Sequence, residues 1–114
     1  MKIKFATEEI QEECACFDQL VQKYGVRQAR RIRQRLDELD AAANLADFMT
    51  LPASNCRLLN GEYAGQISID TAFSSKLLIE PINSHTPQEE NPMLDWTLVT
   101  AIRIISIDAV IHSS

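Results

Sequence analysis

The stretch that decides the fold covers residues 51–71 and reads LPASNCRLLNGEYAGQISIDT. Leu51-Pro52 ends any preceding helix, because proline disfavours helical geometry in the residue before it. Residues 56–59 and 65–71 are rich in apolar or β-branched side chains, and the Asn60-Gly61 pair between them is typical of a hairpin turn. We therefore predict that the chain changes from helices to strands here.

Further strands are predicted downstream. Residues 76–82 and 96–111 are both rich in branched apolar side chains, and the polar, proline-containing stretch 83–92 between them reads as a loop. The last segment is almost continuously apolar. A run of this kind suits a central strand that is buried on both faces.

The residues before the deciding stretch predict one short strand and two helices. Residues 2–6 alternate polar and apolar side chains, as expected for an edge strand. A first helix should begin at Thr7, whose hydroxyl can cap free amides, and run to about Lys23 before Gly25 ends it. The second helix should cover residues 26–42, and residues 44–49 could form a short turn of helix. The apolar positions at helical spacing are Ile10, Cys14, Phe17, Leu20 and Val21 in the first helix and Ala29, Ile32, Leu36 and Leu39 in the second.

These elements predict a single α+β domain that spans all 114 residues. An N-terminal strand and a helical hairpin should pack on one face of a mainly antiparallel sheet of about four to five strands. No apolar run reaches the ~20 residues that cross a bilayer, and the first residues lack the apolar core of a signal peptide. We therefore expect a cytoplasmic protein with no membrane partner.

The charges are unevenly distributed. Sixteen acidic residues against eleven Lys and Arg give a net charge of −5, which argues against a protein that coats nucleic acid with its whole surface. Five arginines nevertheless fall within nine residues of the second helix: Arg27, Arg30, Arg31, Arg33 and Arg35. Two interpretations stay open. The arginines form a solvated face that pairs with acidic neighbours, or they bind a partner or RNA.

Motifs of cofactor and metal chemistry do not occur in the sequence, which has no P-loop, no Gly-x-Gly-x-x-Gly, no His-Glu-x-x-His and no Cys-x-x-Cys. Cys14 and Cys16 would point in different directions on a helix, and we expect all three cysteines to be small apolar residues with free thiols. His85 and His112 are the two side chains whose ordinary pKa lies near neutrality. We therefore predict no cofactor and no metal.

Taken in order, several segments resemble one family. Residues 51–69 resemble the Leu-Pro, His-x-Leu-Lys-Gly-x-x-x-Gly-x-(Trp/Tyr)-Ser-Ile run of HigB-like killer proteins, the toxin subunits of type II toxin–antitoxin systems in the RelE/ParE superfamily. Residues 77–81, LLIEP, are similar to the family's Arg-Leu-x-Phe-Glu-Pro, and residues 99–104, VTAIRI, to its Val-Thr-x-Ile-x-Ile. The resemblance covers nearly the whole chain, through short motifs in a shared order.

The resemblance implies a small toxin that cuts mRNA on the ribosome without a metal ion. It also implies a helix-turn-helix, HigA-like antitoxin as partner, with no direct DNA binding unless that antitoxin is present. Attack by a 2′-hydroxyl needs a proton acceptor and cations that stabilise the charged transition state. By this resemblance Lys76, His112 and Asp108 are the catalytic candidates, and Arg57 and Tyr63 are the RNA-binding candidates. The antitoxin-binding candidates are Arg27, Arg30 and Arg31.

The chain also departs from the family pattern. Lys76 stands where the family has an arginine, which keeps the charge but loses the forked guanidinium that suits phosphate. Asn60 replaces the family's lysine before the glycine, and His112 corresponds to the closing histidine only if two extra residues are accommodated, for example by a bulge. Two alternatives therefore stay open. The chain is a non-catalytic module that binds an antitoxin or another protein such as gyrase, or the resemblance is one of fold alone.

Overall fold

A mixed β-sheet carries helices on one of its faces. In the residues that the computed structural model describes, which are 1–72, 75–82 and 96–109, there are five strands and four α-helices. The strands are β1 (Lys2–Phe5), β2 (Arg57–Leu58), β3 (Ile67–Asp70), β4 (Lys76–Pro81) and β5 (Ala101–Ala109). They lie in the order β1-β5-β4-β3-β2, in which β1 runs parallel to β5 and the other pairs are antiparallel. This confirms the predicted α+β class. The predicted loop 83–92 and both histidines lie outside the described residues.

The helices are α1 (Glu8–Ala15), α2 (Phe17–Tyr24), α3 (Val26–Ala41) and α4 (Leu45–Phe48). The side chain of Thr7 caps α1 by accepting a hydrogen bond of 3.1 Å from the amide of Ile10, as predicted. The prediction of one continuous helix up to Lys23 is wrong. Cys16 has extended backbone angles and separates α1 from α2. Because of this break Phe17 leaves the apolar stripe and is 38% exposed.

The second helix of the hairpin agrees with its prediction. Gly25 connects α2 to α3 with φ of +87°, a conformation that glycine adopts without steric cost. Along α3, Ala29, Ile32, Leu36 and Leu39 are all buried. The apolar stripe therefore faces the sheet as the spacing predicts.

The core lies between the helices and one face of the sheet. It contains Leu20 from α2, the stripe of α3, Phe48 from α4, and alternate residues of three strands. The strand residues in this core are Ile67, Ile69, Leu77, Ile79, Ile102, Ile104 and Ile107. Residues between them, such as Ser68 and Asp70, therefore project to the second face, away from the helices.

Two predictions about the strands need correction. β5 is not buried on both faces, because Ile102, Ile104 and Ile107 are buried whereas the residues between them are partly exposed. Consecutive buried residues occur instead in the neighbouring strands β3 and β4. The Asn60-Gly61 pair does not form a two-residue turn. It begins a longer loop that contains a 3-10 turn at Gly61–Tyr63 and closes with a 2.9 Å hydrogen bond from Leu59 to Gln66.

Among the described helices, none has the length and apolar character needed to span a membrane.

Candidate functional site

Two of the predicted functional cations lie close together on the second face of the sheet. Lys76 begins β4 and pairs with Asp70 at the end of β3, where its ammonium contacts the Asp70 carboxylate. Arg57 on β2 pairs with Ser68, two residues before Asp70. Directly paired and alternate residues share a face, so Arg57 lies diagonally opposite Asp70. Arg57 and Lys76, the two residues predicted to bind phosphate, therefore lie on either side of the Asp70 carboxylate.

Several contacts fix the position of Asp70. Its carboxylate accepts a 3.1 Å hydrogen bond from the Asn55 amide, and its backbone carbonyl accepts a 2.8 Å hydrogen bond from Nε of Arg35. Burial raises the pKa of Asp70, but the hydrogen bonds from Lys76 and Asn55 and the nearby charge of Arg57 outweigh it and lower the pKa. The carboxylate is therefore ionised at neutral pH. We call Asn55, Arg57, Asp70 and Lys76 the Asp70 cluster.

The sequence analysis did not identify Asp70 or Asn55. A usable signal was present, because Asp70 closes the alternating run Ile-Ser-Ile-Asp and a short turn separates it from Lys76. Pairing the two predicted strands residue by residue places an acid opposite the lysine.

Asp108, the predicted acid/base group, lies at the same end of the sheet but has other partners. It accepts hydrogen bonds from Oγ of Ser75 at 2.6 Å and from Nε2 of Gln28 at 3.4 Å. The next residue on β5, Ala109, pairs with Lys76. The structure thus brings Asp108 and Lys76 to neighbouring positions in the two strands. Among the described residues, no hydrogen bond or ion pair joins these two side chains.

The pairing of β4 with β5 is irregular near this end. From the pair Ile79 and Ile104 to the pair Lys76 and Ala109, β4 advances by three residues whereas β5 advances by five. β5 therefore accommodates two extra residues through bulges. His112 follows Ala109 by three positions in the sequence and lies outside the described residues.

Tyr63 is not brought to the cluster. It lies in the 3-10 turn of the β2–β3 loop and is half-buried. That loop leads into the Ile67 end of β3, whereas Asp70 is at the other end of the strand. The structure therefore separates the two predicted RNA-binding residues, Arg57 and Tyr63, along the hairpin.

The five arginines of α3 serve different purposes. Arg35 is 2% exposed and donates to the carbonyls of Asp70 and Ala53 and to the Glu38 carboxylate, each at 2.8 Å. Arg33 donates to the carbonyl of Cys14 at 2.8 Å. Arg33 also pairs with Asp37 at 3.3 Å and keeps 39% of its side chain exposed, as the solvated-face interpretation predicts. That interpretation is wrong for Arg35, which is buried.

The other three arginines border a shallow groove of about 470 Å³ together with Val26 and Gln34. We call Arg27, Arg30 and Arg31 the α3 basic surface. Within the described part of the chain, no acidic side chain forms an ion pair with Arg30 or Arg31. The surface can therefore bind an acidic partner without first breaking ion pairs of those two residues.

A second ionic network, also missed by the sequence analysis, joins α1 to α2. Glu13 accepts hydrogen bonds from Lys23 at 2.7 Å and from the Tyr24 hydroxyl at 2.8 Å. Burial raises the pKa of Glu13, yet these two hydrogen bonds outweigh it and lower the pKa. Burial and the bond to Glu13 together raise the pKa of Tyr24 to about 12. Tyr24 therefore stays protonated at neutral pH, and the network holds two helices together.

The pKa values of two thiols, those of Cys14 and Cys56, are raised. Burial raises the pKa of Cys14 to about 11 and that of Cys56 to about 12. A thiol in this state is a poor nucleophile. All three cysteines are free, as predicted, although Cys16 and Cys56 are only partly buried.

Within residues 1–72, 75–82 and 96–109, no three side chains of His, Cys, Asp or Glu converge as a metal site requires. Comparison of the chain with models of protein families, with curated proteins and with solved structures found no match.

Proposed function

We propose that the protein is the toxin subunit of a type II toxin–antitoxin system, a HigB-like, ribosome-dependent endoribonuclease that needs no metal ion. The convergence of Arg57 and Lys76 on one face of the sheet is the observation that carries this proposal. Two cations on one face of the sheet suit the charged, phosphorane-like transition state of RNA cleavage. Asp108, the acid/base candidate, lies at the same end of the sheet, but it contacts Gln28 of α3 on the helix side, whereas Lys76 is on the other face.

The architecture agrees with what the resemblance implies. An N-terminal strand, a helical hairpin and a sheet on which the hairpin packs are all present. The bulges of β5 lie between Ile104 and Ala109, whereas the extra residues that separate Asp108 from His112 come after Asp108 in the sequence. The correspondence of His112 to the family's closing histidine therefore rests on the resemblance alone.

The α3 basic surface is the proposed antitoxin contact. Gln28 and Arg35, on the same helix, contact the end of β3 and the turn that follows it. A helix-turn-helix antitoxin with an acidic segment on Arg27, Arg30 and Arg31 would therefore lie on the helix side of the sheet, whereas the side chains of the Asp70 cluster project from the other face.

One observation favours the non-catalytic alternative. Lys76 is already neutralised by Asp70, and the β2–β3 loop, residues 59–66, contains Glu62 and no Lys or Arg. A site with so little free positive charge binds RNA weakly. In this second candidate function the chain binds an antitoxin, or a protein target such as gyrase, and does not cut RNA.

The test is induced expression in growing cells with mapping of mRNA 5′ ends. We expect growth arrest and new cuts in phase with the ribosome, and we expect both Lys76→Ala and His112→Ala to abolish the cuts. Lys4→Ala is the matched control, because it removes an exposed lysine from β1 at the far edge of the sheet. It should arrest growth as the wild type does.

The other outcomes separate the alternatives. Arrest without cuts would reject the nuclease and favour a protein target. No arrest in the wild type would favour an inert chain that still binds an antitoxin. Cuts that persist in Lys76→Ala would show that the proposed site is not the catalytic one.

A further inference from the structure

We propose that the Asp70 cluster is an anion site for an RNA phosphodiester. The Asp70 carboxylate occupies the donors of this site, competes with phosphate for them, and so lowers the affinity of the site for RNA. The inference deepens the proposed function and rests on it for the identity of the ligand as RNA. The anion site itself rests on the contacts of Asp70.

The donors around Asp70 are those that bind phosphate groups. The ammonium of Lys76 contacts Oδ1 of Asp70, the amide of Asn55 donates to Oδ2 at 3.1 Å, and the guanidinium of Arg57 is near enough to lower the pKa of the carboxyl. Ammonium, amide and guanidinium groups from two chain segments thus face one anionic group. The same donor types bind phosphate oxygens in nucleic-acid complexes.

The carboxylate is tethered, yet the site is open to solvent. Arg35 holds the backbone of Asp70 from the buried side. The side chains of Lys76 and Asp70 are 26% and 32% exposed, and Arg57 and Asn55 are exposed. A phosphate from solution can therefore reach the same donors that Asp70 occupies.

The conformation of Asn55 supports a fixed donor. Its φ of +46° is in the left-handed region, which asparagine adopts more readily than most residues. This conformation accompanies the hydrogen bond from its amide to Asp70.

The competing explanation is that Asp70 and Lys76 only stabilise the hairpin as a cross-strand ion pair. The sheet contains a suitable control for it. Glu80 on β4 pairs with Arg103 on β5 and accepts its hydrogen bond at 2.7 Å, with similar exposure of both side chains. Glu80→Gln likewise removes one negative charge from a cross-strand ion pair, at a position on β4 four residues after Lys76.

The experiment uses the full chain and compares the wild type, Asp70→Asn, Glu80→Gln and the double variant Asp70→Asn with Lys76→Ala. One arm titrates inorganic phosphate at constant ionic strength and follows backbone amide chemical shifts. The other arm measures the fluorescence polarisation of a labelled, short single-stranded RNA. We expect Asp70→Asn to bind both probes about tenfold more tightly, the effect of removing one like charge at a few ångströms from the ligand. Glu80→Gln should bind as the wild type does, and the double variant should lose the gain.

Each of the other possible results would contradict one part of the proposal. Equal affinities for Asp70→Asn and the wild type, or equal gains for Asp70→Asn and Glu80→Gln, would reject the competitor. A gain for phosphate without a gain for RNA would reject the phosphodiester as ligand. Circular dichroism checks the fold, and Asp70→Ser serves if Asp70→Asn does not fold. If the wild type does not cut mRNA, the proposed nuclease function is rejected, but the measured binding of phosphate to the Asp70 cluster still stands.

Discussion

At the scale of single residues, Arg35 and Arg31 show that one residue type can have opposite roles on one helix. They are one helical turn apart on α3. Arg35 is 2% exposed and satisfies two carbonyls and a carboxylate. Arg31 lies at the surface and donates to Gln34 at 3.4 Å. Composition could not distinguish them, because the phase of the helix against the sheet decides which arginine is buried.

We predict that Arg35→Met lowers the free energy of unfolding by about 3 kcal/mol or more, because it leaves buried acceptors and the Glu38 carboxylate without their donor. Arg31→Met, which removes the same charge at the surface, should change it by no more than about 0.5 kcal/mol. Urea unfolding of both variants at pH 7 checks this. Equal losses would mean that Arg35 is no more important to the fold than a surface arginine.

At the scale of elements, the α1–α2 connection depends on the charge of Glu13. We predict that Glu13→Gln destabilises the protein by about 1–2 kcal/mol at pH 7, since hydrogen bonds to a charged group are stronger than those to a neutral one. The folded-state pKa of Glu13 is lowered from its ordinary value of 4.5, so the unfolded chain binds more protons in this range. The stabilisation is therefore present above pH 4.5 and is lost as the pH falls through the lower folded-state pKa. Urea unfolding at pH 7 and pH 3 should show the difference between wild type and variant shrinking at pH 3. Glu12→Gln, an exposed control on the same helix, should match the wild type at both values.

The elements also show what could be predicted from the sequence. The apolar stripe of α3 and the cap at Thr7 depend on local spacing and were correct. The break at Cys16 could not be predicted, because no glycine or proline marks it. The convergence of Arg57 with Lys76 followed from the resemblance. The position of Asp70 between them depends on the register of strand pairing, which local sequence patterns do not determine.

At the scale of the whole molecule, acidic residues neutralise much of the positive charge. Ion pairs to acids form at Lys23, Arg33, Arg35, Lys76 and Arg103. With a net charge of −5, the molecule as a whole repels RNA. Any RNA binding must therefore be local, and its dependence on salt counts the phosphate contacts that produce it.

For two contacts, at Arg57 and Lys76, we predict that the logarithm of the RNA association constant falls against the logarithm of KCl concentration with a slope of about −1.4, at ~0.7 per contact with a single strand. This corresponds to a loss of about sevenfold in affinity between roughly 50 and 200 mM salt. Lys76→Ala should halve the slope, whereas Lys4→Ala on the far edge strand should leave it unchanged. Fluorescence polarisation of a labelled single-stranded RNA across that range measures all three slopes. If Lys4→Ala reduced the slope and Lys76→Ala did not, RNA would bind along β1, and the Asp70 cluster would have no part in its recognition.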